Sequence, residues 1–337
     1  MFSKQFLINQ LLKLGVLFLS IIIFVIAAVF YGTRMPGESV QADFVTIDEE
    51  MKLVRNNLNK HVYELAEEIG ERHDGERESL DKAAKYIEKS FRDMGMNPVS
   101  QKYSDKLYEN IIVNIYGKQK RDEIIIVGAH YDTVWLSPGA DDNASGVAAL
   151  LEIARGLHGQ NFSRTIRLVA FTNEEWPFYG RKHMGSLVNA KYSSDRNEQI
   201  AGMLSLEMLG YYSSEPHSQV YPKPLSYFYP HQANFIAFVS NISSRELLHD
   251  VIKEFRVSRQ FPSEGLIAPQ FLLPDIRRSD NSSFWSYGFP AVMVTDTSNY
   301  RNKNYHTIGD LPRTLDYESM ARVVLGLRQT LATLANK

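Results

Sequence analysis

Val127–Gly146 reads VGAHYDTVWLSPGADDNASG and places one histidine and three aspartates in one short span. It begins inside the apolar run EIIIVGAH (Glu123–His130) and ends where a helix is expected over Ser145–Leu157. A short β-branched run bounded by turn residues predicts a strand buried on both faces. A strand, a ligand-rich loop and a helix in that order form the opening of an α/β unit.

The same alternation continues outward. NIIVNIYG (Asn110–Gly117) and TIRLVAFTN (Thr165–Asn173) predict strands, as do AGMLSLEML (Ala201–Leu209), FIAFVSN (Phe235–Asn241) and PAVMVTD (Pro290–Asp296). Helices are expected over Gly180–Ala190, Ser243–Phe255 and Tyr317–Ala335. Two more precede the first strand. One runs from Asp48 to His73, with Met51, Leu53, Val54, Leu58, Val62, Leu65 and Ala66 at helical spacing; the other runs from about Glu78 to Met94, with Gly95 as C-cap. Strands alternating with helices predict an α/β three-layer sandwich, with a mixed, largely parallel central sheet and helices on both faces. Residues 212–231, rich in Tyr, Pro and Ser, read as a loop inserted in one domain.

The chain has 337 residues, of which 44% are hydrophobic, enough for a large core. A net charge of -2 gives no basic footprint for nucleic acid. Cysteine is absent, so disulfides and thiolate metal sites are excluded, and a transition metal must be held by His, Asp and Glu. Leu14–Tyr31, LGVLFLSIIIFVIAAVFY, has 18 residues and no charge. At about 1.5 Å per residue it is just long enough to cross a bilayer core. Lys4 and Lys13 precede it, which orients the N-terminus to the cytoplasm and the rest of the chain outside it. A cleaved signal peptide has the same polarity, but the run is longer than the usual apolar region and its cleavage pattern is poor. The expected organisation is therefore an N-terminal membrane anchor (or uncleaved signal) over residues 1–31, a linker over 32–43 and one large domain over 44–337.

In open α/β sheets, sites form in the crevice beyond the carboxyl ends of the strands. His130 and Asp132 follow one strand, Glu174 and Glu175 another; Glu207 lies near the end of a third, and His306 follows the last. Each has a plain structural reading. A histidine after a strand is commonly a hydrogen-bonded loop residue, and Asp141 or Asp142 could cap the helix near Ser145. Glu207, between Leu206 and Met208, resists that reading, because a buried carboxylate is costly unless paired or metal-bound. Together these residues fit a two-metal hydrolytic site, which needs a bridging carboxylate and a separate carboxylate to take a proton from water.

These motifs carry a resemblance. GAHYD, SPGADDNASGVAALLE, FTNEE, SLEM, RSDNSSFWSYGFPAV and YHT, in that order over roughly residues 48–335, resemble the co-catalytic (two-zinc) aminopeptidases. That family includes bacterial leucyl aminopeptidase, aminopeptidase Y and glutamate carboxypeptidase II. The resemblance implies two zinc ions, with cobalt or manganese as possible substitutes. It assigns His130 and Glu207 to the first metal, Glu175 and His306 to the second, Asp142 to the bridge, Glu174 to the general base and Asp132 to orienting His130. It implies peptide hydrolysis at the N-terminal residue. Trp176, Phe178, Tyr211, Tyr212 and Tyr305 are candidate walls for the side-chain pocket, and Asp280 and Asn281 line the substrate side. Two positions depart from the family: Glu207 stands where many members carry Asp, and Asn281 where many carry His.

Three other functions stay open at this point. A glutaminyl-peptide cyclotransferase would need one zinc. A carboxypeptidase or dipeptidase for acidic peptides would use basic pocket residues, for which Arg277, Arg278 and Arg301 are candidates. A receptor-like ectodomain without turnover would have no use for Glu174.

Overall fold

The computed structural model describes residues 4–41, 46–105 and 107–337. The chain forms two compact units, Met1–Arg34 and Met35–Lys337. The first is one helix, α1 (Lys4–Thr33). Its segment Ile8–Thr33 is long and apolar enough to cross a bilayer, a test that a signal sequence also passes. Ser20 and Thr33 donate their hydroxyls to the carbonyls of Val16 and Val29 at 2.9 and 2.8 Å, so the helix satisfies these polar groups itself.

The second unit is built on an eight-stranded sheet. In chain order its strands are β1 (Val99–Tyr103), β2 (Tyr108–Ile115), β3 (Lys120–His130), β4 (Arg164–Phe171), β5 (Gln199–Glu207), β6 (Ile236–Ser240), β7 (Ser263–Ile267) and β8 (Ala291–Thr295). Across the sheet they lie in the order β1, β2, β4, β3, β5, β8, β6, β7. The centre from β4 to β8 is parallel. β1 and β2 extend it antiparallel on one side; on the other, β6 runs antiparallel to β8 and carries β7 parallel to itself.

The helices are α2 (Glu49–Tyr63), α3 (Arg77–Asp93), α4 (Gly146–Leu157), α5 (Gly185–Asp195), α6 (Arg245–Ser258), α7 (Asn281–Ser286) and α8 (Tyr317–Leu334). The apolar runs explain the layering. Along β3, Ile125, Val127 and Ala129 join the core under α2, α4 and α8, whereas Ile124 and Ile126 join Phe171, Ala190 of α5 and Phe284 of α7. Successive strand residues face opposite sides, so a continuous apolar run is what a strand covered on both faces requires. The result is the three-layer α/β sandwich with a mixed, largely parallel sheet that the alternation predicts.

Several elements depart from the sequence expectation. The first helix of the unit does not reach His73. After Tyr63 it widens into a looser turn over Glu64–Ile69 and stops at Gly70, which adopts φ 79° and donates to the Leu65 carbonyl. The helix expected at Gly180–Ala190 is displaced to Gly185–Asp195, because the residues before it are used in turns that close onto β4 through Gly185 N and Thr172 O. β1 and β7 were not expected; they are edge strands, polar or interrupted by glycine. Gly95 does close α3, with φ 83°.

Residues 35–41, read as part of a linker, run along the second unit. Arg256 donates to the carbonyls of Pro36 and Gly37 at 3.1 and 2.8 Å, and Ser39 Oγ accepts from Ser263 N at 2.8 Å. The boundary expected between residues 43 and 44 lies outside the described residues.

Candidate metal centre

The three central parallel strands end side by side. His130 closes β3, Glu174 and Glu175 follow β4 by a short turn, and Glu207 closes β5. Asp142 enters from the β3–α4 loop, and His306 from the loop after β8. His130 Nε2 lies 3.4 Å from Asp142 Oδ1 and 3.4 Å from Glu207 Oε2. His306 Nε2 lies 3.0 Å from Asp142 Oδ2 and 3.4 Å from Glu175 Oε1. Asp142 thus turns one oxygen to each histidine. Two ligand groups share it: His130–Asp142–Glu207 and Asp142–Glu175–His306, each with donor atoms within 4.8 Å of one another. Glu174 closes a third group with His130 and Glu175.

Buried polar atoms ordinarily find partners. Here His130 Nε2, Glu174 Oε1 and Glu175 Oε1 are buried without a hydrogen bond, and all point into the same cluster. A set of carboxylates and imidazoles with orphaned donor atoms fits zinc, which accepts oxygen and nitrogen ligands.

The candidate ligands are held by their neighbours. Asp132 accepts the Glu174 and Glu175 amides on its two oxygens, each at 3.0 Å, and so fixes the turn carrying both glutamates. Toward His130 its backbone oxygen is 3.2 Å from Nδ1 and its carboxylate 3.5 Å. Asp310 does the same for Asp142, accepting Asp141 N at 2.9 Å and Asp142 N at 3.0 Å. Asp141 is not a helix cap: it accepts Gly210 N and Asn302 Nδ2. Asn143 joins Gly146 N, Met208 N and Leu206 O, tying the loop to the end of β5. Ser279 donates to Glu207 Oε2 at 2.7 Å.

The largest buried support is Arg72. Its guanidinium donates to five backbone carbonyls, those of Leu65, Gly70, Tyr131, Pro138 and Gly139, at 2.7–2.9 Å. Its amide donates to Thr133 Oγ1. Sequence reading missed Arg72 and Asp310, and placed Ser279 only in the segment lining the substrate side. Only Asp310 has a local signal, an acid four residues after His306.

Charge balance follows from this crowding. Burial opposes protonation of His130, but Glu207, Asp132 and Asp142 outweigh it and hold the pKa well above the usual imidazole value. His306 is pushed up to about 10; burial opposes, and the bonds to Asp142 and Glu175 prevail. Asp142 is driven the other way: burial raises its pKa, but the two histidines pull it well below the usual carboxylate range. Glu175 rises to about 8 through burial and then the charge of Asp142. Glu174 lies well above its ordinary value, through burial and the neighbouring acids, despite His130. The cluster holds an excess of carboxylates that cations would neutralise.

The sequence profile of peptidase family M28 matches residues 110–331. The chain belongs to that family. It is a metallopeptidase of the co-catalytic zinc aminopeptidase type. It is 39% identical over 281 residues to the uncharacterized protein YfbL of Escherichia coli K12, covering 80% of this chain and 85% of that one. It is 28% identical over 270 residues to a probable leucine aminopeptidase of Arthroderma otae, covering 74% of this chain and spanning 64% of that protein's length. A zinc aminopeptidase from Bacillus subtilis shares the fold, with a TM-score of 0.67 at 14% identity over 84% of this chain and 96% of that one. A Fimbriiglobus ruber glutaminyl cyclase shares it too, with a TM-score of 0.62 at 18% identity, over 89% of this chain and 99% of that one.

Beside the candidate metal centre of this M28 peptidase lies a mostly apolar cavity of about 110 Å³ that reaches Glu207. Tyr305 lines it and stacks on His306, ring centroids 3.7 Å apart. The other aromatic pocket candidates do not line it. Trp176 is 63% exposed and stands edge-on to Trp135; Phe178 packs on Tyr108 and Tyr212 on Phe261. Tyr211 gives its amide to Asp296. Asp280 is buried against the charges of the centre, with both oxygens unpartnered. Asn281 donates to the Ile276 carbonyl. Arg278 lines the cavity, whereas Arg301 is buried and bonded to Gln219 Oε1 and Phe235 O. The aromatic walls come instead from Tyr221 and Tyr229 of the expected insertion, with Phe235 and Tyr300.

Proposed function

We propose that this metallopeptidase is a membrane-anchored aminopeptidase that removes N-terminal residues from peptides. His130, Asp142, Glu175, Glu207 and His306 would hold two zinc ions, with cobalt or manganese as possible substitutes, and Glu174 would be the general base. The observation that carries the reading is the placement of Asp142, one oxygen toward each histidine, beside a glutamate whose Oε1 has no partner. Bound zinc supplies Lewis acidity and lowers the pKa of water. Glu174 Oε1 takes the proton of the attacking water and returns it to the leaving amine. Asp132 keeps Glu174 and Glu175 in register through their amides. The Arthroderma likeness supports aminopeptidase over carboxypeptidase action. A catalytic-domain location outside the cytoplasm is supported by the lysines before the apolar helix.

Glutaminyl-peptide cyclisation is the second reading, favoured by the Fimbriiglobus fold likeness. Two ligand groups sharing Asp142 favour two ions and hydrolysis. The test is a panel of aminoacyl-arylamides with chelator, with restored zinc, and with Glu174→Gln. Turnover should vanish with chelator and return with zinc. Glu174→Gln should lose about 10²- to 10⁴-fold in kcat, the usual share of a general base, while keeping two zinc ions per chain. Full activity in Glu174→Gln would remove Glu174 from its role. One ion per chain with cyclisation of glutaminyl peptides would replace the reading.

A further inference from the structure

The cavity beside Glu207 has a floor that can be read from strand register. Glu207 of β5 pairs with Thr295 of β8, Thr295 with Ala237 of β6, and Ala237 with Glu264 of β7. Paired residues on neighbouring strands point to the same face. The row therefore runs straight from a metal ligand to a second carboxylate. Strands about 4.8 Å apart put the Cα of Glu264 about 14 Å from that of Glu207. Ala237 contributes only a methyl group, which leaves the middle of the row open. The next row, Met293, Val239 and Leu266, is apolar. All of these residues line the cavity, and Tyr221 and Tyr229 of the insertion line it as well, their rings stacked with centroids 5.7 Å apart.

We infer that this cavity selects peptides whose N-terminal residue is lysine or arginine, and that Glu264 receives the cationic end of that side chain. The inference rests on the aminopeptidase reading. Among the described residues, the charged group that acts on Glu264 is Arg256, and its guanidinium is already bonded to Ser263, Pro36 and Gly37. Burial holds the Glu264 carboxyl above its usual range. A cation would restore its charge; a leucine or phenylalanine would cover a carboxylate and leave it without a partner, which is costly. The tyrosine pair adds π faces, which attract ammonium and guanidinium groups.

The reach agrees. An extended side chain advances about 1.25 Å per bond, so a lysine amine stands about 6 Å from its Cα and an arginine guanidinium about 7 Å. Adding about 4 Å at each end, for the substrate Cα beside Glu207 and for the Glu264 side chain, spans the row of about 14 Å. Arg278, the cation on the lining, is matched by Asp275 at 3.5 Å and by Asn299 at 3.0 Å.

The test compares lysyl-, arginyl-, norleucyl-, leucyl- and phenylalanyl-arylamides on the full zinc-loaded chain, with Glu264→Gln alongside. Norleucine keeps the length of lysine without its charge. The expected result is a kcat/KM for the lysyl and arginyl substrates at least tenfold above norleucyl. Glu264→Gln should erase that ratio while changing the neutral substrates less than threefold. A wild-type preference for leucyl or phenylalanyl, or a Glu264→Gln effect equal on charged and neutral substrates, would overturn the assignment. If no arylamide is turned over, the aminopeptidase reading falls separately. Calorimetry then decides the pocket: lysinamide binding at least tenfold tighter than norleucinamide upholds it, and equal or absent binding overturns it.

Discussion

Arg72 offers the sharpest test of how the centre is held. Its five bonds reach carbonyls from the end of the first helix of the sheet-bearing unit, from the residue after His130 and from the turn before Asp141. Lysine in its place keeps the charge but has three donors and no planar fork. At least two of the five carbonyls then lose their partner. An unmade bond at a buried group costs about 1–3 kcal/mol, so Arg72→Lys should lose about 3 kcal/mol. That is a large share of the roughly 5–15 kcal/mol stability of a typical domain. Urea unfolding in chelator measures this directly, and a zinc titration should show at least tenfold weaker binding, because the turn that presents Asp142 is released. Arg72→Met leaves all five carbonyls and the nearby acids uncompensated and should not accumulate as folded protein. An Arg72→Lys variant within about 0.5 kcal/mol of wild type would refute the reasoning, since surface-like changes fall in that range.

Four further outcomes follow from the site. Glu175, Asp280 and Asp310 are raised to about 8, 7 and 7, with burial the first cause in each. The folded state therefore binds more protons than the unfolded state from about pH 4 to 8, and the metal-free protein should lose stability as pH rises through that window. His306, raised to about 10, continues the loss above about pH 6.5; calorimetry at several pH values in chelator checks this, and a Tm that climbs from pH 5 to 8 would contradict it. The increment from added zinc should grow over the same window, because the ligands must be deprotonated. Asp310→Asn replaces one acceptor by an amide donor facing a backbone N–H, and should weaken zinc binding about 10- to 100-fold in a competition titration. Gly146→Ala would place a methyl group 2.3 Å from Asn143 Oδ1 and 2.6 Å from Leu206 O, so it should lower the Tm and the zinc affinity together; an unchanged Tm would show that the loop can yield.

What the sequence made legible follows from burial. β3, β4, β5 and β8 read clearly because a strand covered on both faces is apolar where it is covered, and their ends announce the candidate ligands. VSQKY and SEGLI do not read as strands, because an edge strand has no such requirement, and so the row that ends at Glu264 was invisible. Glu207 stood out because it interrupts an apolar strand. Arg72 could not, since its partners are contributed by loops up to 67 residues away. Asp141 carried the local signature of a cap, but its oxygens are taken by Gly210 and Asn302, which only the folded chain brings near. Of the aromatic residues near the motifs only Tyr305 pointed to the cavity; Tyr221 and Tyr229, which also line it, lie in an insertion with no pattern of its own.

The amides that Asp132 and Asp310 hold have a thermodynamic consequence. Both clamps consist of protein groups alone, so the chain segments presenting Glu174, Glu175 and Asp142 are ordered during folding. Metal uptake then has little apolar surface left to bury and little backbone left to order. Its heat-capacity change should be close to zero, unlike that of small domains in which metal binding and folding are one event. Its enthalpy should instead track the buffer, because the protons that leave the crowded carboxylates and imidazoles are the main thing the site gives up.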